Sequence, residues 1–300
     1  PPPPPPPPFS LTPHICFTVT AGPRSYTLEL AGGAAVLVYA VVYIMGKRSN
    51  EAIAKAWTDA VEPIIMESFQ KTGIGSNWHS LNKDSQCCFK YFASGRAHCR
   101  GFLAQLDLKK RHDLLSTILG VVFPSQDLVT IDIPMAENTM PRFVFAMLPK
   151  SEAKALHAES RDLEDYAAVI KKPASLSALP DQFTLLTDCK PVVTDLLTPA
   201  VVATIAKNQD FVRVLHFTDQ TAISNIGTAR LSKAALRFQF MLPNVEDMGA
   251  MAELTRMCLA LVDAAAGLKL SDAAQKSTDA LREKARNIAL REVRQQQAEV

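Results

Sequence analysis

The sequence predicts an α+β protein in which one N-terminal transmembrane helix is followed by a cytosolic domain of antiparallel strands and helices, then by a charged C-terminal helix that begins a coiled coil. Three observations predict it. An uncharged apolar run stands near the start of the chain. Short strand-like runs then arrive in pairs, each pair followed by a helix-like segment, a grouping that suits an antiparallel sheet and not a doubly wound parallel one. From Ser271 onward the composition changes to Ala, Lys, Arg, Glu and Gln with few large apolar side chains, as in a solvated helix. The expected organisation is a disordered Pro-rich lumenal arm over 1–25, a transmembrane helix over 26–46, a juxtamembrane helix and linker over 47–85, the α+β domain over 86–267 and the charged helix over 268–300.

The chain opens on eight prolines, Pro1 to Pro8, and not on methionine, the pattern of a fragment or processed chain. Such a tract forms an extended, solvated polyproline arm and cannot pack a core. Leu30 to Gly46 follows as seventeen residues without a charge. As a helix it spans roughly 26 Å, close to the ~30 Å of a bilayer core. A buried core helix is the competing reading, although core helices seldom run so long without a polar face. Tyr26 and Tyr43 mark the two interfaces, and Lys47, Arg48 and Lys55 outnumber Arg24, so the positive-inside rule places the C-terminal part in the cytosol. Ala31, Gly32, Gly33 and Ala35 crowd one end of the span, where a second membrane helix can approach closely.

Asn50 is a candidate cap for a new helix carrying Ile53, Ala54, Trp57 and Val61, with Pro63 kinking it before Ile64 and Ile65. Gln86 to Tyr91 and Ala97 to Leu108 read as a hairpin around Ser94 to Arg96, and Lys109 to Leu119 as the helix after it. Leu128 to Ile133 and Arg142 to Leu148 are two further strands, with a helix capped by Ser151 and running to about Val169. Pro173, Pro180 and Pro191 punctuate an irregular connection. Thr198 before Pro199 starts a helix, Phe211 to Phe217 and Ala235 to Met241 are strands, and Asn244 opens a helix ending near Gly267.

Composition narrows the chemistry. The chain is 48% hydrophobic and 21% charged, and its 32 Lys plus Arg nearly balance 30 Asp plus Glu, so any polyanion binding is confined to a local patch. No GxxxxGK, GxGxxG, GxSxG or HExxH string occurs, and no enzyme or cofactor is expected. Cys87, Cys88, His98 and Cys99 have poor metal spacing, because adjacent strand residues point to opposite faces. His112, Asp113 and Ser116 share one helix without forming a triad. The densest basic stretch is Lys90 to His112, where Lys90, Arg96, Arg100, Lys109, Lys110 and Arg111 stand against Asp107. Such a cluster can engage RNA phosphates, or equally anionic lipid, and it also suits an ordinary solvated hairpin end.

One resemblance is specific. The single span followed by GKRSN and AKAW, then SGRAHCRGFLAQLDLKKRHDLL, FVFAMLPKSEAKAL, LHFTDQ and LRFQFMLP, in this order and spacing, resembles the calumin family, the coiled-coil domain subunits of the PAT complex ("protein associated with the ER translocon"). The likeness runs from about Tyr26 to Val300. It implies a non-enzymatic, single-pass endoplasmic-reticulum protein working at ribosome-bound translocons during insertion of multipass membrane proteins. The implied partners are a small membrane subunit, Asterix, the Sec translocon, the ribosome with its RNA, nascent multipass proteins and the lipid bilayer. Charge and position then single out Arg96, Arg100, Lys109, Lys110 and Arg111 as RNA or translocon contacts, together with Arg282, Lys284, Arg286, Arg291 and Arg294 on the terminal helix. A membrane-anchored tether binding anionic lipid through the basic hairpin is the alternative.

Overall fold

A computed structural model describes residues 26–73, 81–123, 125–220 and 234–298; the Pro-rich arm assigned to 1–25 lies outside the described residues. Two compact units divide the chain, 1–41 and 42–300.

The first unit's described part is the beginning of α1 (Thr27–Ser68). Its described side chains are exposed, with Leu30, Val36 and Leu37 at 72%, 70% and 64%. A core helix buries such residues. This helix is long and apolar enough to cross a membrane. Beyond Val41, α1 continues without a break through Asn50, so the new helix start expected there does not exist. Lys47 to Glu51 holds no proline or glycine to end the helix, and Asn50 serves a different purpose, described below. Pro63 lies inside the last turns of α1.

The second unit is built on one ten-stranded sheet in which every pairing is antiparallel. Its strands are β1 (Lys71–Thr72), β2 (Asn82–Lys83), β3 (Cys88–Ser94), β4 (Phe102–Asp107), β5 (Leu128–Pro134), β6 (Phe145–Pro149), β7 (Ala168–Ile170), β8 (Phe183–Thr187), β9 (Val212–Thr218) and β10 (Ala235–Met241). They run in the order β1, β3, β4, β5, β10, β9, β6, β8, β7, with β2 also paired to β3. Strict alternation makes these strands. Phe89, Tyr91 and Ala93 of β3 are buried between half-exposed neighbours, as are Phe102, Ala104 and Leu106 of β4 and Val129, Ile131 and Ile133 of β5, so each strand turns one face to a core.

That face is covered by the second half of α1, through Ala54, Trp57, Val61 and Ile65, by Phe69 just after it, and by α5 (Lys190–Leu196), α6 (Pro199–Lys207) and α7 (Gly249–Gly267). Trp57 packs edge-on against Tyr91, and Phe69 lies against Phe102. These α1 residues and Phe69 thus share one core with the sheet. On the opposite face a smaller cluster of Val144, Ala146, Leu148, Leu186 and Val214 meets Leu163 and Ala167, carried by α3 (Ala153–Glu159), α4 (Arg161–Tyr166) and the turn after α4. Between β4 and β5 stands α2 (Leu114–Val122), and the chain's described part ends in α8 (Asp272–Ala298).

β10 and β9 lie between β5 and β6. Two expectations change. The helix expected over 151–169 breaks at Ser160, whose backbone is extended, and its end becomes β7, where Val169 and Ile170 suit a strand. The proline-punctuated connection contains β8, which pairs with both β6 and β7. β3, β4, β5, β6, β9 and β10 overlap the runs read as strands, β1 and β2 fall in the stretch read as helix and linker, and α2 begins at Leu114 and not at Lys109, because Asp113 is its cap. The helices from Pro199 and to Gly267 lie where the sequence places them, a one-turn 3-10 helix at Val245–Asp247 preceding α7.

Candidate functional site

The N-terminal end of the second unit is organised around a buried amide. Asn50 has no exposed surface, and its Nδ2 donates to the carbonyls of Gln86 and Lys109, both at 3.0 Å. Its Oδ1 accepts from Arg111 Nη1 at 3.0 Å. Arg111 also grips Asp127 in a bidentate pair, Nη1 to Oδ1 at 2.8 Å and Nη2 to Oδ2 at 2.6 Å, while the Lys109 amide donates to the same carboxylate. Burial pushes the Asp127 carboxyl up, but Arg111 and the Lys109 amide outweigh it and hold the group below the usual carboxylate range. One turn earlier on α1, Gly46 is buried against the backbone of Arg111 and His112, where a Cβ would collide with the Arg111 carbonyl. Tyr43 meets the His112 ring edge-on at 6.0 Å. Gly46→Ala is expected to cost about 1–3 kcal/mol through this backbone clash, read as a lower midpoint in thermal unfolding of the detergent-solubilised chain.

These contacts fasten both ends of a loop. Arg111 precedes α2 and Asp127 follows it. Asp113 caps α2, its carboxylate accepting from the amides of Leu115 and Ser116, and these bonds with the Ser116 hydroxyl hold Asp113 below its usual range. None of the described side chains of α2 is buried.

The basic residues singled out from the sequence fall into three groups. The first is held by carboxylates at the surface: Arg96 pairs with Asp263 at 2.7 Å and lies over Phe69, and Arg100 pairs with Glu137 at 2.5 Å. The second faces outward. Lys110, Lys284, Arg286 and Arg291 are exposed, and Lys109 is half-buried; the side chain of Arg294 lies outside the described ones. In the third group the charge is met within the fold: Arg111, 28% exposed, is part of the node above, and Arg282, 10% exposed, is a buried clamp.

Arg282 comes from α8, and its side chain is 10% exposed. Its guanidinium donates to Asp219 at 2.5 and 2.6 Å and to Asp188 at 3.0 Å, and it stacks over the Tyr166 ring at 5.5 Å. Asp188 in turn accepts from the Val144 amide at the edge of β6. Burial raises the Asp188 carboxyl above its usual range despite these donors. Thr278, one turn back on α8, is also buried. The charged helix is thus docked on the domain through its first turns. Sequence reasoning missed this node because an Arg in a run of Arg, Lys and Glu looks solvated, and its two acidic partners stand at the ends of separate strands.

A second buried pair, His216 with Asp162 at 2.8 Å, ties β9 to α4. Burial raises Asp162 but His216 and Thr218 outweigh it, leaving the carboxyl lowered. Among the described residues no group of three or more His, Cys, Asp and Glu side chains could hold a metal. Burial, with Asp107 beside it, pushes Cys88 up to about 11, and burial raises Cys99 and Cys258, so these thiols carry little thiolate at neutral pH. An open pocket of about 480 Å3 lies beside Phe69, Arg96 and His98.

The class is an antiparallel α+β protein whose N-terminal helix is long and apolar enough to cross a membrane, with a charged helix docked after the domain. The chain belongs to the family described as PAT complex subunit CCDC47, which matches residues 25–300. An uncharacterised protein of Arabidopsis thaliana is 32% identical over 89% of this chain and 56% of its own length. The human PAT complex subunit CCDC47 is 27% identical over 85% of this chain and 57% of its own, and the zebrafish one 24% over 92% and 60%. The chain therefore spans a little over half the length of these relatives. Among solved structures, mycobacterial trehalose monomycolate transport factor A aligns over 73% of this chain and 95% of its own at 10% identity, with a TM-score of 0.30, too weak a superposition to transfer anything.

Proposed function

We propose that this chain is a non-enzymatic, single-pass subunit of a PAT complex in the endoplasmic-reticulum membrane, with its α+β domain in the cytosol. There it serves ribosome-bound Sec translocons during insertion and folding of multipass membrane proteins. The observation that carries this reading is the extent of the family match, which includes the apolar helix, the domain and the docked terminal helix together. Relatives over the same stretch are named PAT complex subunits. Ala31, Gly32, Gly33 and Ala35 are exposed, with nothing near the two glycines, and they form the packing face for the small membrane subunit, Asterix. Lys109, Lys110, Lys284, Arg286 and Arg291 are the first contacts for ribosomal RNA or the translocon, followed by Arg96, Arg100 and Arg294. Arg96 and Arg100 must trade their carboxylates for phosphates.

Charge reversal tests the contacts. Lys110→Glu with Lys284→Glu and Arg286→Glu is expected to leave the fold intact, because all three side chains are exposed. Loss of several phosphate contacts lowers affinity by roughly tenfold or more at 0.15 M salt and flattens the salt dependence. Co-sedimentation with ribosomes across a salt series reads both. Unchanged binding and slope would remove these residues from the interface, and flotation of the unmodified protein with anionic liposomes but not with ribosomes would favour lipid tethering.

A further inference from the structure

We propose that α2 is a second, monotopic membrane contact whose apolar side chains enter the lipid at the same bilayer face at which α1 leaves it. The proposal rests on reading α1 as a membrane span, and it goes beyond the translocon reading by assigning a surface and its partner.

The sequence of α2 and its exit, LLSTILGVVFP, holds no charge in eleven residues. On a helix with 100° between residues, Leu115, Ile118, Leu119 and Val122 fall within an arc of about 100°, with Ser116, Thr117 and Gly120 on the other side. A soluble domain turns such an arc inward. Here Leu115, Ile118, Leu119, Val122 and Phe123 are exposed at 66%, 59%, 50%, 68% and 73%. Burying five such side chains is worth several kcal/mol, and contiguous apolar surface of this kind marks a contact with membrane or protein.

Lipid is the occupant because of where the helix is fastened. The Tyr43 to His112 and Gly46 to Arg111 contacts fix the start of α2 beside the turn of α1 at which the uncharged run ends. Ile44 and Met45, in that same turn, are themselves exposed at 48% and 66%, so apolar surface continues from α1 within this unit. Lys47 and Arg48 on α1, and Lys109 and Lys110 ahead of α2, supply cations at the same level, where anionic headgroups lie. The Asp113 cap satisfies the helix's first amides, as a terminus at the headgroup boundary requires. The bidentate Arg111 to Asp127 clamp closes the loop's base, so the helix is presented as a fixed wedge.

The test uses the full-length protein in phosphatidylcholine and phosphatidylserine vesicles, with an environment-sensitive fluorescent amino acid placed singly at Leu119, Gln126 or Leu37. Quenching by brominated acyl chains is expected at Leu119 and Leu37 and absent at Gln126. Quenching at Leu37 without any at Leu119 would overturn the proposal and leave the span standing, whereas no quenching at Leu37 would overturn both. A second variant, Ile118→Asp with Leu119→Asp, alters no buried side chain and is expected to keep its melting temperature within about 2 °C while losing quenching from a label at Val122. If that quenching persisted, or if the label were quenched by aqueous iodide as strongly in the unsubstituted helix, α2 would not be in lipid.

Discussion

Replacing Arg282 by alanine is expected to destabilise the domain by roughly 3–5 kcal/mol, the usual cost of removing one partner from a buried charge cluster. The guanidinium is the counter-charge for two carboxylates whose side chains are 0% and 9% exposed, Asp188 and Asp219. Its loss leaves both without a cation in low dielectric and removes the stacking over Tyr166. In a unit of this size the change corresponds to a fall in melting temperature of about 10 °C. The pH dependence gives a sharper reading. Asp188 already has a raised carboxyl in the folded chain, so the native state binds more protons than the unfolded one above the ordinary carboxylate range, and stability from this group falls as pH rises there. Without Arg282 the shift is larger. The variant's deficit is therefore expected to be greatest near neutral pH and to shrink as pH is lowered toward 5, measured by denaturant unfolding at both values. A constant deficit would mean that packing, not charge, holds the helix. Hydrogen exchange should show the added protection loss in α8 first.

Asp127→Ala is the second large effect, at about 2–4 kcal/mol, less than a fully buried pair because the Arg111 side chain is 28% exposed. It leaves Arg111 without its bidentate partner and the Lys109 amide without an acceptor, and it opens the base of the loop that carries α2. Here the sign is opposite. The Asp127 carboxyl is lowered on folding, so its stabilisation is fully present above the ordinary carboxylate range and is lost as pH falls through the lower folded value. Wild type and variant are expected to converge only in strong acid. Faster exchange of amides 114–123 in the variant would identify the clamp as what orders α2, and unchanged exchange there would confine Asp127 to a purely global role.

Most strands were legible because their alternation is local. LRFQFM and LVTIDI each bury one face, and the period of two shows in a window of six residues. Thr198 with Pro199 is equally local, and its helix starts where that pair stands. What escaped depends on distance in sequence. β8 lies among prolines and becomes a strand through β6 and β7, residues 145–149 and 168–170. Asn50 reads as a cap because Asn is a capping residue ahead of an apolar helical stripe, yet its partners are the carbonyls of Gln86 and Lys109 and the guanidinium of Arg111. The basic patch was visible as composition, but composition does not show which cations already have carboxylates. Arg111 and Arg282 are already paired with Asp127, Asp188 and Asp219, while Lys110 and Lys284 face outward. The apolar character of residues 114–123 was equally plain, and only the fold shows that this surface is left outside the core.

The central claim is that the chain works within a translocon-bound assembly, and intact complexes test it most directly. Ribosomes engaged in multipass synthesis would be isolated from endoplasmic-reticulum membranes in mild detergent through a tag on the full-length protein, and their components identified by mass spectrometry. Sec channel subunits, ribosomal proteins and a small membrane subunit are expected together, diminishing as salt is raised. Recovery of the protein free of ribosomes and channel at low salt, during active multipass synthesis, would contradict the claim.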